Sequence, residues 1–127
     1  MADVLTQLSD SLAETVETAG PGVVRVEGRR RLPATGIIWS AGGVIVTANH
    51  VVKRDDKVSI GLADGERVSA TVTGRDPSTD LVVLKAEASE LAPAARADGD
   101  LHVGHLVLAL GRPGRTVQAT LGIVSAL

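Results

Sequence analysis

Residues 57–74 read Lys-Val-Ser-Ile-Gly-Leu-Ala-Asp-Gly-Glu-Arg-Val-Ser-Ala-Thr-Val-Thr-Gly, and the fold turns on how they are read. Val58, Ile60 and Leu62 alternate with small or polar residues, and so do Val68, Ala70 and Val72. Each run therefore presents one apolar face at the period of a strand. Between them, Ala63-Asp64-Gly65-Glu66 holds an Asp-Gly pair, which supplies the positive φ that a tight hairpin turn requires. The stretch is predicted to be two antiparallel strands.

The same grammar extends to both sides. Val23 to Arg29 places Val24 and Val26 on one face, and Gly36 to Trp39 forms a second short run. Ala41-Gly42-Gly43 turns into Val44-Ile45-Val46-Thr47, and Asp80 to Ala86 is a continuous apolar run expected of a central strand. Six short strands between residues 23 and 86, with no helix among them, point to an antiparallel barrel, since closure removes unpaired edges. Ahead of them, Leu5, Leu8, Leu12 and Val16 recur at helical spacing; Asp3 suits the N-cap and Gly20-Pro21-Gly22 a stop. This predicts a helix over 4–18 that docks on something larger and carries no chemistry. Residues 87–104 lose periodicity and read as a linker. His105 to Leu110 and Thr116 to Val124 are two further strands around Gly111-Arg112-Pro113-Gly114, too few to bury a core alone. The expected division is an entry segment (1–22), a first barrel (23–86), a linker (87–104) and the start of a second unit (105–127).

Composition narrows the functions. The 127 residues are 44% hydrophobic and 22% charged, enough for one core and a hydrated surface. A net charge of -2 argues against a nucleic-acid partner, which needs clustered positive charge. Arg29-Arg30-Arg31 is the one basic run and reads as a solvated loop. No apolar tract reaches the roughly 18 residues of a membrane span. The absence of cysteine excludes disulfides and thiolate zinc sites and selects no compartment. The start, Met-Ala-Asp-Val-Leu-Thr-Gln, is not a secretion signal. Trp39 is the sole aromatic residue, so the core must be branched aliphatic, as strands favour.

Two polar residues stand at the ends of apolar strands. His50 closes Val44 to Thr47 and so belongs at a rim, where an imidazole of near-neutral pKa can serve as a general base. Asp80 opens Leu81-Val82-Val83-Leu84; a carboxylate against a buried strand needs hydrogen-bond donors, and an imidazole N–H is a suitable one. Spacing alone leaves two readings open: base and orienting carboxylate of a hydrolase, or an ordinary rim histidine and a turn-capping aspartate in Asp-Pro-Ser-Thr-Asp. His102, His105, Asp98 and Asp100 read as solvated linker residues rather than metal ligands, so no metal or other cofactor is expected.

Here the sequence resembles a known family. Thr35 to Val52, containing Thr47-Ala48-Asn49-His50-Val51-Val52, is similar to the catalytic-histidine segment of the HtrA (Deg) serine proteases. Leu62 to Gly65 followed by Gly74-Arg75-Asp76-Pro77-Ser78-Thr79-Asp80-Leu81-Val82-Val83-Leu84-Lys85 resembles their catalytic-aspartate segment. Leu108-Ala109-Leu110-Gly111-Arg112-Pro113 and Gly122 to Leu127 match the family's next stretch, so the likeness is collinear from about residue 8 onward. The resemblance implies an all-β, chymotrypsin-like fold: a six-stranded antiparallel β-barrel with an N-terminal helix and the first strands of an incomplete second barrel. It implies His50 as general base and Asp80 as its orienter in an endopeptidase acting on unfolded or misfolded polypeptide. The family nucleophile sits in a Gly-x-Ser-Gly-Gly segment beyond Leu127, so the isolated chain is expected to be inactive. None of Ser9, Ser11, Ser40, Ser59, Ser69, Ser78, Ser89 and Ser125 has the setting of an exposed nucleophile, and Ser125 reads as strand. His105 departs from the family, which usually has an acidic residue there. A binding or assembly module, self-associating through the open strand edges of 105–127, and a pseudoprotease are the competing readings.

Overall fold

The computed structural model describes residues 3–28, 32–53 and 57–127; the arginine run 29–31 lies outside them. Helix α1 (Val4–Ala19) begins where Asp3 accepts the Thr6 amide at 2.7 Å, satisfying one of the orphan donors of the first turn. A 3₁₀ turn over Gly20–Gly22 then feeds strand β1 (Val23–Glu27). At Gly22 an added Cβ would meet the Ala94 backbone at 2.9 Å, so only glycine allows this close approach. No residue of α1 is buried; Leu12 and Val16 are partly covered while Leu5 remains 75% exposed. The expectation of a docked helix therefore holds only for its C-terminal half.

Strands β1, β2 (Ala34–Ile38), β3 (Val44–Ala48), β4 (Val58–Gly61), β5 (Arg67–Asp76) and β6 (Leu81–Ala86) close into an antiparallel barrel in the order β1-β2-β3-β6-β5-β4. Its interior is aliphatic: Val24, Val26, Ile45, Ile60, Val82 and Leu84 are each 1% exposed or less. The hairpin predicted at 57–74 is present. Leu62 N–H donates to Glu66 O at 2.8 Å, and Gly65 adopts φ +90° in the turn. The apolar run of β6 is buried on one face only, with Val82, Leu84 and Ala86 inside and Leu81 and Lys85 outside. It is central in pairing, since β3 and β5 flank it, but not covered on both sides.

Among the described residues, strands β7 (Leu106–Gly111) and β8 (Gln118–Ile123) pair only with each other. The segment between barrel and hairpin has no regular structure but is partly docked. Leu91 N–H donates to Ala41 O at 3.1 Å and Ala94 N–H to Ile38 O at 2.9 Å. The hairpin is fixed to the barrel by Arg112, which is 5% exposed. Its Nε donates to Val23 O at 2.7 Å, Nη2 to Gly20 O at 3.0 Å and Nη1 to Arg115 O at 2.7 Å, while its backbone N–H donates to Thr35 Oγ1 at 2.9 Å. Buried polar groups must find partners, and this guanidinium finds them among main-chain carbonyls.

Candidate functional site

Strand β3 ends at Ala48 and passes into a 3₁₀ turn over Asn49–Val51, which carries His50 out of the wall of the barrel. The next residue, Val52, returns to the core at 2% exposure, so the turn is short and pinned at its far end. The residue that meets it comes from the β5–β6 connection. There Asp76 Oδ1 accepts both the Ser78 amide at 3.1 Å and the Ser78 hydroxyl at 2.6 Å, and Thr79 N–H donates to Asp76 O at 3.2 Å. Asp76 is thus the turn-capping aspartate of Asp-Pro-Ser-Thr-Asp. That division of labour leaves the second carboxylate available.

Asp80 sits at φ +56°, a left-handed conformation that aspartate tolerates better than most residues. Placed so, it makes three contacts with the histidine turn. Its carbonyl accepts the Asn49 amide at 2.9 Å, Oδ1 accepts the His50 amide at 2.9 Å, and Oδ2 lies 2.6 Å from His50 Nδ1. The Asp80 carboxyl is held below its ordinary pKa of 3.8, chiefly by the hydrogen bond from the His50 ring and then by the His50 amide. An ionised carboxylate only accepts, so Nδ1 carries the proton and, in the neutral ring, Nε2 presents its lone pair. That is the tautomer a general base requires. The imidazole is 70% exposed and the carboxylate 48%, so the pair opens directly to solvent.

The structure therefore brings together the two residues singled out in the sequence. The remaining polar candidates are elsewhere. His102 and His105 pack edge to face with ring centroids 5.3 Å apart, and His105 Nδ1 accepts the His102 amide at 3.0 Å. Among the described residues no three His, Cys, Asp or Glu side chains gather as a metal site. Ser125 lies beyond the end of β8, not within it, and is exposed. A groove of about 590 Å³ between α1 and residues 92–95 has Glu14 as the one titratable group among its described lining residues, so it offers no acid–base pair. No described helix is long and apolar enough to cross a membrane.

Sequence reasoning missed the supports of the turn. Arg75 Nη1 donates to Asn49 Oδ1 at 2.7 Å and to Val52 O at 2.6 Å. Arg75 was visible within Gly-Arg-Asp-Pro-Ser-Thr-Asp, but a cation beside a turn gives no sign of reaching another segment. Arg112 was hidden in the same way, since Gly-Arg-Pro-Gly reads as an exposed turn.

A closed six-stranded barrel with a histidine–aspartate couple on its rim defines a class: trypsin-like peptidases. A family profile described as "Trypsin-like peptidase domain" matches residues 34–127, and the chain belongs to that family. Its relatives carry the HtrA (Deg) likeness read from the sequence. The chain is 38% identical over 102 residues to a "Probable periplasmic serine endoprotease DegP-like" of Chlamydia pneumoniae, covering 79% of this chain and 21% of that protein. It is 37% identical over 132 residues to "Serine protease PepD" of Mycobacterium tuberculosis (strain ATCC 25618 / H37Rv), covering 92% and 28% respectively. A third relative, the DegP-like endoprotease of Ectopseudomonas mendocina (strain ymp), is 37% identical over 128 residues, covering 96% and 27%. The chain thus spans between about a fifth and three tenths of the length of these relatives.

Proposed function

We propose that this chain supplies the general base, His50, and its orienting carboxylate, Asp80, to a serine endopeptidase that cleaves unfolded polypeptide. The observation that carries the reading is the double contact of Asp80 with His50, ring and amide together. The ring contact selects the tautomer and the amide contact fixes the turn, so Nε2 is offered in one direction. In this mechanism Nε2 takes the proton of a serine hydroxyl as its oxygen attacks the peptide carbonyl. Asp80 stabilises the imidazolium that forms, and the same proton goes to the leaving amine. Water then repeats the sequence to release the acyl group.

In this reading the serine and the oxyanion-hole amides come from polypeptide beyond Leu127. The 127-residue chain by itself then turns nothing over, because triad members act as a unit. A fluorophosphonate probe tests both halves. The full-length gene product should be labelled at one serine and should hydrolyse β-casein. His50→Ala should lower that activity by a factor on the order of 10⁴ or more, and the 127-residue chain should stay unlabelled. Stoichiometric labelling of the short chain, or an active His50→Ala enzyme, would overturn the proposal.

A second reading, assembly through β7 and β8, rests on the exposure of every residue of β8. Light scattering on the 127-residue chain separates it: a concentration-dependent oligomer favours assembly, and a strict monomer removes it.

A further inference from the structure

We propose that Arg75 is a positioning residue for His50, acting from the interior face of the barrel on the turn that carries the imidazole. The inference deepens the endopeptidase reading and rests on it for its meaning in catalysis; the geometry stands independently.

Register decides where Arg75 points. Along the β5–β6 ladder, Ala70 pairs with Ala86 and Val72 with Leu84; then the register shifts, and Gly74 pairs with Val83 and Arg75 with Val82. Directly opposed residues share a face of the sheet. Leu84, Ala86 and Val82 all point into the barrel, at 0–3% exposure. Had the ladder continued unbroken, position 74 would oppose Val82 and position 75 would face solvent. The bulge at Thr73 reverses the alternation and turns Arg75 inward at the rim, a use of bulges that recurs where a side chain must be re-aimed.

From there the guanidinium reaches the histidine turn. Its Nη1 holds Asn49 Oδ1 at 2.7 Å and Val52 O at 2.6 Å, one residue before and two residues after His50. Asp80 grips the same turn through Asn49 N–H and His50 N–H, both at 2.9 Å. The turn is capped at its far end by a weak bond, Val52 N–H to Asn49 O at 3.3 Å, and 3₁₀ geometry is poor in isolation. Two clamps set where the imidazole stands; Asp80 provides one and Arg75 the other. Asn49 is the shared element, offering its amide to Asp80 and its side-chain oxygen to Arg75.

The test uses the 127-residue chain with nitrogen-15 in its histidines, followed by the full-length protein. Arg75→Ala should shift the His50 ring nitrogens away from the Nδ1–H tautomer and broaden or abolish the low-field Nδ1 proton, as Asp80→Asn should. Asn49→Ala should give a weaker version. Arg75→Lys, which can still donate to a carbonyl, should restore part of the signal. In the full-length enzyme Arg75→Ala should reduce kcat about 10- to 100-fold with KM within about twofold, the cost of a displaced reacting group. If Arg75→Ala fails to fold, Asn49→Ala and Arg75→Lys carry the same readout. His50 ring signals that superimpose on the wild type in the folded variants would overturn the proposal, leaving Arg75 as a brace for the barrel alone. The ring signature requires no peptidase activity, so failure of the endopeptidase reading shows separately as an active His50→Ala enzyme.

Discussion

The barrel and the β7–β8 hairpin are built from the same material and end up in opposite states. The strands of both are antiparallel and rich in Val, Leu and Ile, and none contains an aromatic residue. In the barrel, closure gives every strand two neighbours and one face directed inward, and Ile45, Ile60, Val82 and Leu84 lose all contact with water. In the hairpin each strand has one paired neighbour among the described residues, and β8 lies exposed along its whole length, with Leu121 51% and Ile123 60% exposed. Sequence character is therefore not what makes a core; a second layer is. Arg112 ties the turn of the hairpin to the barrel through main-chain carbonyls.

That contrast can be tested most strongly in the core. Leu84→Ala, at a site that is 0% exposed, should cost about 3 kcal/mol, whereas Leu121→Ala should cost less than about 0.5 kcal/mol. Urea unfolding of the 127-residue chain reads both. Equal losses would mean that the hairpin is packed in solution, against a second copy or otherwise. Next comes Arg112→Ala, which removes the buried side-chain donors to Gly20 O and Val23 O and should cost about 2 kcal/mol. Its signature is regional: amide exchange should accelerate across β7 and β8 while β3 and β6 keep their protection. Unchanged exchange in the hairpin would show that it holds its place without the clamp.

Elements whose partners lie close in sequence were legible. The helix start at Asp3, the Asp64-Gly65 turn and the alternation of Val24 and Val26 each depend on local geometry, and each is where its pattern placed it. His50 and Asp80 were legible as a pair only because the resemblance to a protease family joined them; their spacing left a turn-capping aspartate equally open. In the structure Asp76 caps the turn and Asp80 faces the imidazole. Arg75 and Arg112 were illegible. Each acts through a contact between distant segments, and for Arg75 a single-residue bulge decides which way the side chain points. No periodicity in the sequence announces where a ladder slips.

Acid should affect the two regions unequally. Asp76 and Asp80, both on the barrel, are held below the ordinary value of 3.8, the first mainly by the Ser78 hydroxyl and the second mainly by the His50 ring; Asp3 is lowered too, mainly by the Thr6 amide. A carboxyl with a depressed folded-state pKa contributes stability that is complete above its unfolded value. The contribution is lost as pH falls through the folded value, because the unfolded chain binds protons first. The urea midpoint should therefore hold steady down to about pH 4 and fall below it. Asp80→Asn should lower the midpoint at neutral pH and flatten part of the acid limb, with Asp76→Asn removing another part. An acid limb identical in wild type and Asp80→Asn would mean that the carboxylate–imidazole contact does not persist in solution.

The smallest effect lies where the two regions are joined. Arg96 stacks over Trp39 at the end of β2, with its Cζ 4.0 Å from the ring centroid, and the Ala94 amide on Ile38 O holds the same stretch against the barrel. Trp39 is 49% exposed, so the cation rests on a half-hydrated ring and contributes only about 0.5 kcal/mol. As the sole tryptophan, it reports the contact without interference from another fluorophore. Arg96→Ala should shift Trp39 emission to longer wavelength and speed exchange at the Ala94 amide, while the urea midpoint moves by no more than about 0.5 kcal/mol. If emission and exchange both stay fixed, the backbone bonds at Leu91 and Ala94 suffice to dock the segment. A midpoint that falls as far as in Arg112→Ala would instead make this stretch part of the cooperative barrel, and the boundary between closed core and open hairpin would move past residue 96.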